Sequence, residues 1–211
     1  MTFEIMKPKK TKKILLHICC APCATHVHHW LETHGWKVTG YFYNPNIHPF
    51  REYDRRLINL KLFAAVANFP LICDEAYELE EFLKLTLGKK EKRCLFCYWM
   101  RLEQTALYAK KKKFKYFTTT LLVSPFQKHD WLLLVAQAIA RKHGVEFYYH
   151  DFRKGWNESV RMSKQMNLYR QPYCGCVFSE RERFRGAERG ARSSPKIRQA
   201  SQKLLRKIVS V

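Results

Sequence analysis

Ile14-Leu15-Leu16-His17-Ile18-Cys19-Cys20-Ala21-Pro22-Cys23 is the stretch that decides the fold. Ile14–Ile18 is a short, mostly apolar run, as expected of a strand buried on both faces. Residues 24–33 then read as a helix, stopped near Gly35. Working outward, the same alternation repeats. Lys37–Tyr43 reads as a second strand, closed by Asn44-Pro45-Asn46. Arg51–Asn68 is an amphipathic helix, with Leu57, Leu60, Phe63 and Ala64 at helical spacing. Pro70–Cys73 gives a third strand and Leu79–Thr86 a helix. Leu95–Lys113 is helical, with Met100, Leu102, Ala106 and Ala109 as its apolar face. Phe114–Val123, β-branched and aromatic, reads as a fourth strand. Trp131–His143 is a helix stopped by Gly144, Val145–Tyr149 a fifth strand, and Asn157–Asn167 a last helix. Strands alternating with helices of this length predict βαβ units, and so a doubly wound α/β domain with a mostly parallel sheet of about five strands.

The 211 residues suit one domain with appendages. The expected division is a basic N-terminal segment over 1–11, the α/β domain over 12–180 and a basic tail over 181–211. Residues 180–211 hold ten Lys or Arg against three Glu, with a helix expected from Lys196 onward. The formal charge of +21, from 39 basic against 18 acidic residues, costs self-repulsion unless a polyanion offsets it. Nucleic acid is the expected partner. Lys110–Lys113, Lys115, Arg51, Arg55, Arg56, Tyr169, Arg170 and the tail arginines are candidate contacts, with Tyr53, Tyr98 and Tyr173 as candidate stacking rings. Residues 1–13 are polar with five lysines, unlike a signal peptide, and no apolar stretch is long enough to span a membrane. A cytoplasmic location is expected.

Seven of the eight cysteines fall into three groups: Cys19-Cys20-x-x-Cys23, Cys94-x-x-Cys97 and Cys174-x-Cys176. Clustered cysteines without a secretory leader read as metal-binding or catalytic rather than disulfide-forming. The first group sits where strand one hands over to helix one, the ligand edge of such sheets. Glycine between Cys174 and Cys176 lets both sulfurs face one centre. Seven thiolates exceed the four that one tetrahedral zinc or one cubane uses. The count suggests a four-cysteine cluster beside a second metal or a resolving thiol pair. A zinc site with three incidental cysteines is the simpler alternative. Cys73 reads as a small buried hydrophobe. The first βα turn carries no glycine-rich phosphate loop, which argues against ATP-dependent adenylation.

Other side chains have two readings each. Asn44, Asn46 and His48 close strand two, as substrate contacts, as support to a metal, or as turn formers. Thr118-Thr119-Thr120 and Ser124 place hydroxyls after strand four, which β-propensity also explains. Asp151, past strand five, and Asp74, past strand three, are candidate metal ligands or proton relays, or else caps and ion-pair members. His26, His28 and His29 share no single helix face and read as surface.

The motifs together resemble one family. Leu16–Cys23, Tyr43-Asn44-Pro45-Asn46-Ile47-His48-Pro49, Arg93-Cys94-x-x-Cys97-Tyr98 with Arg101-Leu102, Phe117–Leu121 with Ser124-Pro125, Asp151-Phe152 and Tyr169-Arg170-Gln171-x-Tyr173-Cys174-Gly175-Cys176 are similar, in order, to the QueH family of epoxyqueuosine reductases. The resemblance covers about residues 12–180, and the later tail departs from it. It implies a Rossmann-like, HUP-type scaffold, with all seven clustered cysteines as metal ligands. They would hold a [4Fe–4S] cluster and an adjacent second metal, expected to be iron. The implied reaction reduces the epoxide of epoxyqueuosine in a tRNA anticodon loop to queuosine. Ferredoxin or flavodoxin is the expected electron donor, because no flavin or nicotinamide motif is visible. The rival readings are a cluster-dependent tRNA thiolation enzyme, a zinc-containing RNA-binding protein without catalysis, and a dithiol oxidoreductase using Cys94 and Cys97.

Overall fold

The computed structural model describes residues 12–192. Five parallel strands form its centre: β1 (Lys12–His17), β2 (Trp36–Phe42), β3 (Leu71–Cys73), β4 (Tyr116–Thr119) and β5 (Glu146–Phe147), in spatial order β3-β2-β1-β4-β5. Ile14, Leu15 and Leu16 of the central strand are fully buried; covering on both faces is why β1 is apolar without alternation. Right-handed crossovers place α1 (Ala21–Thr33) and α2 (Phe50–Val66) on one face. They place α4 (Arg93–Lys111) and α5 (His129–His143) on the other, where these two pack together. The remaining helices are α3 (Leu79–Thr86), α6 (Trp156–Gln165), which packs on α1, and α7 (Val177–Arg192). The chain winds outward from β1 to β3, then crosses to β4 on β1's other side. The carboxyl ends of β1 and β4 therefore flank the switch point, where open α/β sheets form a crevice.

Local chemistry sets the boundaries. Pro22 lies in the first turn of α1, where its missing N–H costs nothing. Gly144, at φ 68°, ends α5 in the left-handed region. The fourth strand is shorter than expected, because Thr120–Val123 is a buried 3₁₀ turn. Its partner β1 ends at His17, paired with Thr119. Past that point the Thr119 hydroxyl accepts the Leu121 N–H (3.2 Å) and starts the turn. The boundary expected at residue 180 falls inside α7, whose start at Val177 went unread beneath the charge of the tail. The N-terminal segment 1–11 and the helix expected from Lys196 lie outside the described residues. Among the described residues no helix is long and apolar enough to cross a membrane.

His28 is not a surface residue. It is buried on α1 with its ring against Phe69 (centroids 4.1 Å) and Phe63 (6.3 Å). Burial holds its pKa down at about 4, although Glu32 Oε2 stands 3.3 Å from Nδ1. The unfolded chain takes up this proton below about pH 6.5 and the native chain only near 4, so stability falls as pH drops through that window. His28→Gln should therefore lose less melting temperature than the parent between pH 6.5 and 5. The expected difference is about 1 kcal/mol per pH unit at most. Parallel thermal melts at the two pH values check this.

Candidate metal centre

Each cysteine group sits at the start of a helix. Cys20 is the N-cap of α1 and Cys23 lies in its first turn, three residues earlier than the predicted start of that helix. Cys94 and Cys97 occupy the first turns of α4. Cys176 directly precedes α7, and its Sγ accepts the Ser179 N–H (3.4 Å). Three helix N-termini thus lend partial positive charge to thiolates. All eight cysteines are free.

The sulfurs of Cys19, Cys20 and Cys23 lie within 4.8 Å of one another and are buried, and this is the one such compact group among the described residues. Sulfurs sharing a tetrahedral ion with bonds of ~2.3 Å stand about 3.8 Å apart, and Cys19 Sγ is 3.7 Å from Cys20 Sγ. The Thr120 hydroxyl accepts the Cys19 N–H (3.1 Å) and reaches its Sγ (3.4 Å). Contacts with Cys20 and Cys23 hold the Cys19 thiol well below its ordinary pKa. The contact with Cys19 pushes Cys20 up to about 12, and contacts with Cys19 and Cys20 hold Cys23 well above the normal range. One thiolate is therefore favoured and three are not, and a cation is what lets all three ionise. The triad fits a metal ion.

The second set is looser. Cys97 and Cys176 pack with Phe82 in one small apolar cluster. Burial pushes Cys97 up to about 12, and charge on Cys174, Cys176 and Cys94 adds to it. Arg101, 1% exposed, answers that charge: its Nη2 donates to Cys97 Sγ (3.2 Å) and its Nε to the Cys97 carbonyl (3.1 Å). Its guanidinium also feels Cys174 and Cys19, so it serves both sets. Two glutamine amides reach sulfur as well. Gln171 Nε2 donates to Cys20 Sγ (2.9 Å) and Gln127 Nε2 to Cys174 Sγ (3.5 Å).

The turn carrying Cys174 and Cys176 is braced from beneath. Arg56, 1% exposed, donates to the carbonyls of Cys174 (2.9 Å) and Tyr173 (3.2 Å) and pairs with Glu52 (2.7 Å). The Tyr173 hydroxyl donates to the His48 carbonyl, and the His48 N–H to the Gly175 carbonyl (2.8 Å). Gly175 has φ 145°, and a Cβ there would stand 3.1 Å from Asn46 Nδ2 and 3.2 Å from Arg56 Nη1. Gly175→Ala should strain this turn and cost on the order of 2 kcal/mol of stability. Denaturant melts of the two purified proteins check this.

Several expectations change. Asn44, Asn46 and His48 are buried, with the Asn44 amide donated to the Ile18 carbonyl (2.9 Å). They support the cysteine loops from inside instead of facing a substrate. Asp151 caps Arg153 and pairs with its guanidinium (2.6 Å), which lowers its pKa to about 2. It is a fixed carboxylate, not a proton donor near neutrality. Asp74 takes the Tyr41 hydroxyl (3.4 Å) beyond β3, two strands or about 10 Å from β1. Tyr169 gives its hydroxyl to Glu52 (2.6 Å) under the stacked Arg55 guanidinium (3.8 Å), while Arg170 is exposed. Tyr53 and Tyr98 are buried, so neither offers an open ring face, and Tyr173 is half-buried. Arg56 is internal, and Lys110–Lys113 lie at and just past the far end of α4, about 24 Å along the helix from Cys94. Cys73 is half-buried at the outer sheet edge.

Sequence comparison decides what this arrangement belongs to. A protein-family model described as "Epoxyqueuosine reductase QueH" matches residues 14–182. The chain belongs to the QueH family. The family span takes in all seven clustered cysteines. Among curated proteins, the "Epoxyqueuosine reductase QueH" of Dehalococcoides mccartyi is 43% identical over 172 residues, 82% of this chain and 94% of the relative. The protein of that name from Thermotoga maritima is 38% identical over 181 residues, covering 81% and 91%. That of Histophilus somni is 33% identical over 198 residues, covering 90% and 81%.

Of the side chains that brace the cysteines, Gln127 was not singled out from the sequence, Arg101 and Gln171 stood only inside the matched motifs, and Arg56 was read as a nucleic-acid contact. Arg101 follows Cys97 by four residues on one helix, and Arg56 follows Glu52 by four. That spacing is a signal for both. Gln127 and Gln171 reach sulfur only through the fold.

Proposed function

We propose that this chain is an epoxyqueuosine reductase acting on tRNA, with its seven clustered cysteines holding two metal centres side by side. The observation that carries the reading is the division of those thiols in a family member: a compact triad on α1 and a looser four on α4 and the α7 turn. Cys94, Cys97, Cys174 and Cys176 have the number that a [4Fe–4S] cluster uses. Cys19, Cys20 and Cys23 have the spacing of a single ion, proposed to be iron. Bound there, the cluster would supply single electrons and the ion Lewis acidity toward an epoxide oxygen.

The reaction breaks both C–O bonds of the epoxide, forms a C=C bond and releases water, consuming two electrons and two protons. A low-potential one-electron donor such as ferredoxin or flavodoxin is the proposed source of the electrons. The chain's own part is to place and tune. Arg101 and Arg56 set fixed cations against the thiolates, and hydrogen bonds from Gln127 and Gln171 to sulfur raise the ease of reduction. His17, buried and held down at about 4, stays neutral; its Nε2–H donates to the Tyr43 carbonyl (3.3 Å) and Nδ1 takes the Thr119 hydroxyl (2.8 Å). Asp151 keeps Arg153 in place at the rim. The basic surface fits an anticodon stem, and eight free thiols fit a reducing cytoplasm.

The test is purification without oxygen, then iron, zinc and acid-labile sulfide analysis, and turnover of epoxyqueuosine-containing tRNA with reductant. Expected are more than four irons and about four sulfides per chain, with conversion to queuosine. A colourless protein with one zinc, no sulfide and no turnover would overturn the reading in favour of a zinc-containing RNA-binding protein.

A further inference from the structure

Phe126 is 82% exposed, the most open large apolar side chain among the described residues. It sits in the turn after β4, beside the cysteines. Gln127, the next residue, donates to Cys174 Sγ (3.5 Å) and accepts the Tyr98 hydroxyl (2.8 Å), which in turn accepts the Lys128 N–H (3.1 Å). The Phe126 N–H is held by Ser124 Oγ (3.3 Å). A ring left in water on so well tied a turn is placed, not merely tolerated. Its ring meets Trp156 edge-on, with centroids 5.6 Å apart and planes at 84°. That contact fixes the ring's orientation and leaves a flat face outward.

Trp156 joins this ring to the other cysteine set. It lines a cleft of about 40 Å³ together with Cys23, Ser159, Arg170 and Gln171. That volume admits a hydroxyl-sized group and no ring. Gln171, one of its lining residues, commits its Nε2 to Cys20, and its Oε1 is buried without a hydrogen-bond partner. The rim is rich in exposed cations: Arg153 and Lys154 just before Trp156, and Arg170. Of the nearby acids, Asp151 and Glu158 are occupied by Arg153 and Arg161, and Asp130 is exposed.

From this geometry we infer that Phe126, propped by Trp156, is the platform on which an unpaired nucleobase stacks at the mouth of the cysteine site. A lone flat ring amid cations suits a base on a phosphate backbone better than it suits the apolar core of a protein interface. The inference rests on the tRNA reading above and names which side chain receives the base.

The test compares the parent with Phe126→Ala, Phe126→Trp and, as an exposed apolar control on α5, Leu134→Ala. The dissociation constant for an unmodified anticodon stem-loop RNA is measured by fluorescence anisotropy, alongside metal content. Phe126→Ala should weaken binding on the order of ten-fold or more at unchanged metal content. Phe126→Trp should restore it, and Leu134→Ala should not move it. Parental affinity in Phe126→Ala overturns the platform. So does a defect confined to turnover with a protein electron donor and absent with dithionite, which would make Phe126 a protein-docking residue. Reduction of modified tRNA is scored separately. A parent that binds the stem-loop through Phe126 yet leaves the epoxide intact keeps the platform and sinks the reductase reading.

Discussion

Arg101→Met protein, purified without oxygen, should carry less iron than the parent and turn over about 10–100-fold more slowly. The guanidinium is buried between two groups of thiols and donates to the Cys97 sulfur (3.2 Å). Methionine fills similar space and removes both the charge and two donors. Cys97 is already pushed up to about 12 by burial, so losing the cation makes its thiolate, and those beside it, harder to form. Arg101→Lys keeps the charge without the fork that reaches the Cys97 carbonyl and sulfur together, and should recover only part of the loss. Iron per chain and initial rates read the two effects separately. Full iron and parental rates in Arg101→Met would show that the helix N-termini alone suffice.

Arg56→Met should lower the melting temperature on the order of 10 °C, because removing one partner of a buried ion pair costs about 3–5 kcal/mol. Glu52 would keep its charge in a buried position, with only the Tyr169 hydroxyl to satisfy it. The Cys174 and Tyr173 carbonyls would lose their donors as well. The double variant Glu52→Gln, Arg56→Met removes both charges and should regain part of the stability. Calorimetry of the three proteins reads this. A double variant no more stable than Arg56→Met would locate the cost in the carbonyls of the turn, not in the stranded carboxylate.

The fold was legible because its signals are periodic. The apolar run of Ile14–Ile18 and the helical spacing of Leu57, Leu60 and Phe63 persist whatever surrounds them. The end of β4 was not legible, since Thr120–Val123 has strand composition and turns only because its neighbour β1 has ended. The start of α7 was hidden for a similar reason: a basic stretch reads as solvated until Arg93 meets Glu182 (2.7 Å) across the helix starts. At the site, cysteine spacing picked out the candidate ligands, Asn44, Asn46 and His48 could not be settled among the three readings residue type left open, and Arg56 was misread as a contact. Polar side chains near a ligand edge read as contacts, whereas here the loops they brace lie between them and solvent. Phe126 went unread because a single aromatic between Pro125 and Gln127 has no pattern, and its exposure is a tertiary fact.

Cys176 caps α7 through its own sulfur, so ligand and helix share one atom. On the proposed reading, filling the four-thiol site and docking the carboxyl-terminal helix become a single equilibrium. Whatever tightened that metal binding would also tighten α7 onto α4 through Arg93 and Glu182. In reverse, chelation of the proposed metal or oxidation of Cys176 would loosen a whole helix, and a protease would read that change at α7.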